Sequence, residues 1–363
     1  MHNIKITYFG IVRSISSWSK ISRELINSLL KNGVDINIYE RKGFLYDKNF
    51  KLYNEERLKF SNKFVGDIVF TFEHPINYKY LPDNITKIGF LVYEFTQLPE
   101  LWVENINKHL NLVFVPSHFT YDVFLRSGVD EKKLRILRYG INPDYYYFDG
   151  RMINRVRRFL CVASPQKREG VDILLKAFYA AFKDRDDVNL TLKLSYNTDN
   201  SKPFEIPEFK KMISYYSNLF GKRLVVIDKK LSEKDMGDLY RNSDIYFSLT
   251  KAESFGLCFL EAIASGRWDI CLDYSGQTDF LDENNSIFIN HSIIETDSDL
   301  YEKTDYKQHI AMPDIDDCVK KLKYLYNNQI AHLPQIKNGI SHYYWDEISK
   351  EFISIIMGVN NHY

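Results

Sequence analysis

Two acidic residues in the segment 251–266, KAESFGLCFLEAIASG, carry the clearest chemical pattern in the chain. Glu253 and Glu261 are separated by seven residues, with Phe255 and Gly256 between them. The preceding run, DIYFSLT, is apolar and β-rich, so Glu253 falls in the loop after a strand. Gly256 lets the backbone turn tightly. A helix then starts near Leu257, with Glu261 in an early turn and Gly266 just past the end. The amides of Phe255, Gly256 and Leu257, with Ser254 leading into them, are helix N-terminal donors suited to a phosphate. Glu261 is placed to accept from two vicinal hydroxyls, as a ribose presents, and Glu253 lies nearer a group to be transferred. A plain helix-dipole role accounts for Glu253 equally well. It does not account for an acid at Glu261 inside the apolar run LCFL–AIA, where an ionised carboxylate needs a partner.

The elements that must hold this loop alternate strand and helix along the whole chain. Strand-like runs are IKITYFG, DINIYE, DIVFTFE, TKIGFLVYE, LNLVFVPS and KLRILRYG. An amphipathic helix over 18–31 follows the first of them, with Ile21, Leu25 and Leu29 on one face and Gly33 as its stop. Short strands that are apolar on both faces, joined by helices, imply a parallel sheet covered on both sides. Residues 142–158 are polar and include Arg151, Arg155, Arg157 and Arg158, which reads as a solvated linker. The alternation then restarts with RFLCVAS, a helix from Val171, VNLTLKLS, a helix over 208–220, RLVVID, a helix over 232–242 and DIYFSLT. After the Glu253 loop come a helix, WDICLDY, another helix and SIFI. The last piece, 345–358, is one amphipathic helix, isolated from any βαβ unit and expected to dock on a domain it did not begin in.

Bulk properties fit this grammar. A length of 363 residues suits two α/β domains better than one core. The formal net charge is zero, so no global field favours nucleic acid or an anionic membrane. Cys161, Cys258, Cys271 and Cys318 form no C-x-x-C pair and read as free thiols in a reducing compartment. The N-terminus enters a strand without a signal-like region, and no run approaches the ~18 apolar residues of a membrane span. The expectation is a cytoplasmic protein, with room for peripheral membrane contact and with oligomeric state left open. The acidic run 184–187 reads as a solvated turn, the histidines lack ligand spacing, and no Walker or nucleophile-elbow pattern occurs.

The segment LYRNSDIYFSLTKAESFGLCFLEAIASG resembles the motif of retaining glycosyltransferases of the GT-B fold, glycosyltransferase family 4 (group 1). SRELINSLLKNGVDINIYE, VFVPSHFTYDVFLRSGV, LRILRYGINPDYY, REGVDILLKAF and YYWDEISKEFISII extend the likeness over nearly the whole chain. The resemblance implies an α/β protein of two Rossmann-like domains facing across a cleft. An acceptor-side domain would cover 1–145 and a donor-side domain 155–335. A terminal helix in 336–363 would cross back to the first domain. It further implies that Glu253 contacts the donor sugar, that Glu261 binds the nucleotide ribose, and that Leu231 lies among the donor-binding residues.

Three other loops depart from that family. Relatives place an Arg and a Lys in the loop ASPQKREGVD to neutralise the donor diphosphate, where this chain has Ser164 and Glu169. Lys167 and Arg168 are then the cations expected to supply the charge, Arg168 by its planar fork. Without the resemblance they read as surface charges. The loop FGIVRSISSWS keeps Gly10 but has Ser16 and Ser17 where relatives are Gly-rich, with Arg13 as its cation. It reads equally as a turn with a serine helix cap. LVYEFTQLP carries Tyr93 and Glu94 where many relatives have His-Asp, so Glu94 would face acceptor or sugar hydroxyls, and it reads equally as a plain strand-end acid. Nearby His74 reads as structural.

The resulting expectation is a metal-independent, cofactor-free enzyme that moves a sugar from a nucleotide sugar to a hydroxyl on a glycan, lipid-linked or protein-linked acceptor. The departures at Ser164, Glu169 and Tyr93 motivate a rival, a glycosyltransferase-like scaffold subunit without catalysis. A two-domain sugar-nucleotide epimerase is a second rival, which the Glu pair and the terminal helix fit less well.

Overall fold

The computed structural model describes residues 4–14, 16–42, 46–48, 50–52, 55–194, 205–296, 304, 306–330 and 332–360. The chain divides into two compact units. The first comprises Met1–Asn142, Glu302–Tyr306 and Ser341–Tyr363, and the second Pro143–Tyr301 and Lys307–Ile340.

The first unit opens with β1 (Lys5–Gly10), α1 (Ser17–Lys31), β2 (Asp35–Glu40), β3 (Lys59–Phe60), β4 (Ile68–Thr71) and β5 (Thr86–Phe90). It continues with α2 (Glu100–His109), β6 (Leu112–Val115), α3 (His118–Arg126) and β7 (Leu134–Ile136). The strands form one parallel sheet in the order β3-β2-β1-β4-β5-β6-β7. Every residue of β4 (IVFT) and β6 (LVFV) is buried, as expected for strands covered on both faces. Ser16 caps α1 by accepting from the Ser19 amide, and Gly33 leaves the helix at φ +82°. The short edge strand β3 has no counterpart in the sequence reading.

The second unit repeats the pattern with β8 (Arg158–Ala163), α4 (Val171–Phe182), β9 (Asn189–Leu194), α5 (Glu205–Phe220) and β10 (Leu224–Ile227). There follow α6 (Glu233–Asn242), β11 (Ile245–Phe247), α7 (Leu257–Ala264), β12 (Trp268–Leu272) and β13 (Ser286–Ile289). Its parallel sheet runs β10-β9-β8-β11-β12-β13. The helix expected between β12 and β13 is only a 3₁₀ turn, Gly276–Asp279. Beyond β13 lie an antiparallel pair, β14 (His291–Thr296) and β15 (Gln308–Pro313), and α8 (Ile315–Asn327). The sequence reading identified none of the three. In α8, Asp314 caps the amides of Asp316 and Asp317, and Cys318 and Leu322 are buried in the same core as Leu174 and Phe178 of α4.

The expected linker 142–158 is built into the second unit. Ile153 and Val156 belong to its core. Its arginines are not a solvated run: Arg151 and Arg158 donate to Asp244 Oδ1 at 2.8 and 2.6 Å. The amides of Arg157 and Arg158 donate to Asp244 Oδ2 at 2.9 and 2.8 Å. Arg157 also pairs with Asp187 at 2.8 Å. Arg155 is exposed, and Arg158 remains partly exposed despite its bonds to Asp244.

The closing helix α9 (Trp345–Asn360) belongs to the first unit. Trp345, Ile348, Phe352 and Ile356 are buried along one stripe. The Phe352 ring meets Phe70 of β4 and Phe114 of β6 at centroid distances of 5.0 and 5.3 Å. Ser28 of α1 donates to Asp346 Oδ1 at 2.9 Å, and Asn32 donates to Ser349 at 2.9 Å. The terminal helix thus docks on the domain that begins the chain. Among the described residues no helix is long and apolar enough to cross a membrane.

Two outcomes follow. Phe352→Ala leaves a cavity between α9 and the sheet and should cost about 3–5 kcal/mol in urea denaturation. For Asp244, burial alone would raise the carboxyl pKa, but the bonds from Arg158 and Arg151 outweigh it and hold the value below the ordinary range. A depressed folded-state pKa contributes stability above the unfolded value, about 3.9, and loses it as pH falls through the folded one. The Tm deficit of Asp244→Asn should therefore be full at neutral pH and shrink below about pH 3.9 in thermal melts.

Candidate active site

In the second sheet the chain leaves β8 toward β9 on one side and toward β11 on the other, so the switch point lies between β8 and β11. Ligands of open parallel sheets gather beyond the carboxyl ends of strands at such a point. Three loops meet there, those after β8, β11 and β12. Backbone contacts stitch them together: Lys251 N donates to Arg168 O at 2.8 Å, and Gly276 N donates to Glu253 O at 2.8 Å. The approach leaves no room for side chains. A Cβ on Gly170, which sits at φ +64°, would lie 2.2 Å from Leu249 O, and one on Gly276 would lie 2.1 Å from Ser254 O.

Glu253 is fixed in this junction. Its Oε1 accepts from Arg168 Nη1 at 2.9 Å and from Thr250 Oγ1 at 2.9 Å. Its amide donates to Ser275 Oγ at 2.8 Å, and Ser275 holds a left-handed φ of 71° to present that oxygen. Its other oxygen, Oε2, makes no hydrogen bond among the described residues. Ser254, Phe255 and Gly256 are buried, and Leu257 is half-buried. Gly256 precedes α7 at φ +86° and, having no side chain, supplies no side-chain cap to that helix. The first turn of α7 thus presents backbone amides, the arrangement that binds anions.

Glu261 lies in the same helix, only 3% exposed. Its Oε2 accepts from the Tyr240 hydroxyl at 2.9 Å, the partner that an acid in an apolar run demands. Burial pushes the Tyr240 hydroxyl pKa well up, so it remains a proton donor.

The loop after β8 differs from the sequence reading. Lys167 and Arg168 begin a 3₁₀ turn, Lys167–Glu169, that Gly170 closes. Lys167 is exposed, whereas Arg168 is buried. Arg168 is engaged by several protein groups. Nη1 reaches Glu253, Thr250 at 3.2 Å and the Ala252 carbonyl, and Nη2 reaches Glu169 Oε1 at 3.1 Å. Ser164 donates to that same Glu169 oxygen at 2.9 Å. Ser164 and Glu169 thus form one network with Arg168 and Glu253. Leu231 is half-buried immediately before Ser232, whose side chain and that of Asp235 form a capping box on α6.

Residues 153–341, more than half of the chain, match the family described as "Glycosyl transferases group 1". The chain belongs to this family. Comparison with curated proteins finds no match. Among solved structures, the glycosyltransferase is similar to sucrose-phosphate synthase from Thermosynechococcus elongatus, with a TM-score of 0.72 at 13% identity over 99% of this chain and 100% of that one. It is also similar to HepE of Anabaena in complex with UDP and glucose, with a TM-score of 0.68 at 10% identity over 98% and 100%. A third similarity is to the pneumococcal O-GlcNAc transferase GtfA in complex with UDP and GlcNAc, with a TM-score of 0.62 at 11% identity over 99% of each chain. At these identities the likeness establishes the fold.

Three expected site residues of the glycosyltransferase lie in the first unit, at the carboxyl edge of its sheet. Gly10 ends β1, and a Cβ there would meet the Tyr8 hydroxyl at 2.6 Å. The Arg13 guanidinium pairs with Glu40 and Glu55 and lies 4.6 Å over the Phe60 ring. The serine loop behaves as a helix cap, and Arg23 ties the carbonyls of Val12 and Ser14 at 2.7 Å each. Glu94 is half-buried beyond the end of β5, after the buried Tyr93. His74 caps a 3₁₀ turn and packs edge-on against Trp102.

Sequence reasoning missed Thr250 and Ser275, which act on Glu253 through contacts that only folding creates. It also missed Lys193, buried at the end of β9, where Nζ donates to Leu194 O at 2.6 Å and burial lowers the ammonium pKa. Glu73, at the end of β4, was missed as well. Its Oε2 accepts from Asn77 at 2.8 Å, its buried Oε1 has no hydrogen-bond partner among the described residues, and burial raises its pKa. An apolar run ending in one charged residue gives no signal that the charge is buried. Across the acidic run 184–187, Asp187 is held by Arg157 and by Tyr326 at 3.1 Å.

The Gly170 contact yields a direct test of the stitched loops. Gly170→Ala adds a Cβ against a backbone carbonyl at a left-handed φ, and it should lower stability by about 1–3 kcal/mol in urea denaturation.

Proposed function

We propose that this glycosyltransferase transfers a sugar from a UDP- or GDP-sugar to an acceptor hydroxyl with retention of the anomeric configuration. The observation that carries the reading is the pairing of Glu253 and Glu261 across one glycine-led helix start. Oε1 of Glu253 is held while Oε2 makes no hydrogen bond among the described residues, and Glu261 is buried beside Tyr240. The amides that open α7 receive the diphosphate, Glu261 accepts from the ribose hydroxyls, and Glu253 Oε2 accepts from a hydroxyl of the donor sugar. Negative charge grows on the diphosphate as its bond to the sugar C1 breaks, and fixed amides stabilise that charge without reorganising. The acceptor oxygen then bonds to C1 on the same face, and the departing phosphate takes its proton. UDP in the complexes of HepE and GtfA supports a nucleoside diphosphate as the common feature. In this reading the acceptor is a glycan or a lipid-linked or protein-linked group, in glycan, polysaccharide, glycoprotein or glycolipid assembly, and protein groups handle the charge in place of a metal.

A panel of UDP- and GDP-sugars, assayed for nucleoside diphosphate release with and without acceptors, tests the reaction, and rates in excess chelator should equal those with added magnesium. Glu261→Ala should remain folded and lose about 1.5–3 kcal/mol of nucleotide affinity in calorimetry. Unchanged affinity in the folded variant removes Glu261 from the site.

A further inference from the structure

The cation that the sequence offers to the diphosphate is already engaged, and its partners define a different task. Arg168 presents a planar fork of N–H donors, which favours two-point recognition of carboxylates. Nη1 donates to Glu253 Oε1 at 2.9 Å and Nη2 to Glu169 Oε1 at 3.1 Å, so two carboxylates share one guanidinium. Glu169 is itself fixed by Ser164 at 2.9 Å. The backbone of Arg168 is fixed as well, because its carbonyl accepts from the Lys251 amide at 2.8 Å. Thr250 donates to the same Glu253 oxygen from the strand side at 2.9 Å.

Turning Arg168 toward a phosphate would strip Glu253 and Glu169 of their shared cation in a largely buried setting, which is strongly unfavourable. What the cluster does well is fix a carboxylate: with Oε1 of Glu253 held from two directions, Oε2 has one orientation in which to meet a ligand.

Resting on the functional reading above, we propose that Arg168, buttressed by Glu169 and Ser164 and assisted by Thr250, is a positioning residue that holds Glu253 for the donor sugar and does not bind the donor diphosphate. Its effect appears in turnover, because a carboxylate displaced by a fraction of an ångström still permits nucleotide binding but no longer matches the transition state.

The test combines kinetics on the panel's active sugar nucleotide, calorimetry with UDP and GDP, and urea denaturation. The variants are Arg168→Ala, Arg168→Lys, Thr250→Val, Glu253→Gln and the double variant Arg168→Ala/Glu253→Gln. Arg168→Ala should lower kcat by about tenfold or more while the nucleotide Kd stays within about twofold. Arg168→Lys should restore part of the loss, and Thr250→Val, which keeps the shape and the buried charges, should lower kcat in the same direction. The stability effects of Arg168→Ala and Glu253→Gln should be non-additive, as for residues in contact. A nucleotide Kd weakened about tenfold or more with kcat near the wild-type value makes Arg168 a phosphate ligand and overturns the proposal. Additive stability effects overturn it too. If the wild-type protein binds neither UDP nor GDP, the functional reading fails on its own, and the stability cycle still decides whether Arg168 holds Glu253.

Discussion

The close approach of three backbones beyond the second sheet is the constraint on which the site depends. The turn after β8, the loop after β11 and the loop after β12 touch main chain to main chain, at Arg168–Lys251 and Glu253–Gly276. Such contacts exclude a Cβ, hence Gly170 and Gly276, and they force Ser275 into a left-handed conformation. In return the Glu253 main chain is fixed at both its amide and its carbonyl. A carboxylate borne on so rigid a segment can be oriented by a few side-chain bonds.

The arginines of this protein serve mainly as internal connectors, which suits a chain with no net charge. Arg151 and Arg158 converge on Asp244, Arg13 joins Glu40 to Glu55, and Arg168 joins Glu169 to Glu253. Arg267 is fully buried and donates to the carbonyls of Tyr240, Arg151 and Arg241 and to Asp149. Burial lowers its pKa to about 10, a value that still leaves the guanidinium charged at neutral pH. These bonds fasten the segment after Pro143 to the ends of α6 and α7. That is why a stretch of linker-like composition is part of a folded unit. Each buried guanidinium is tolerated because carbonyls and carboxylates replace its lost water.

The first unit puts the same alternation of strand and helix to a different end. Its sheet is buttressed by α9, whose Phe352 ring fills the space over β4 and β6. At its carboxyl edge, Glu73 and Arg41 lie near each other at 3.6 Å, and Tyr8 reaches Ser22 at 2.7 Å beneath Gly10. Both contacts lie within the first unit.

The sequence by itself determined the two parallel sheets, the helix that ends the chain, and the loop holding Glu253, Gly256 and Glu261. Strand runs apolar on both faces, helical spacing and a glycine between two acids are local signals, carried by residues close together in the chain. It did not reveal β3, which is two residues long, or β14, β15 and α8, which follow no βαβ repeat. Only the tertiary structure decided what the charged residues of the loops do. Lys167 and Arg168 are neighbours in sequence, yet one is exposed and the other is enclosed by Thr250, Ala252 and Glu253, some eighty positions away. Arg13 looked like a loop cation until Glu40 and Glu55 were brought to it. The physical reason is that secondary structure follows from backbone geometry and periodicity over a few residues. The role of a charge depends on which opposite charge, carbonyl or hydroxyl the fold places within about 3 Å of it, and that partner can come from anywhere in the chain.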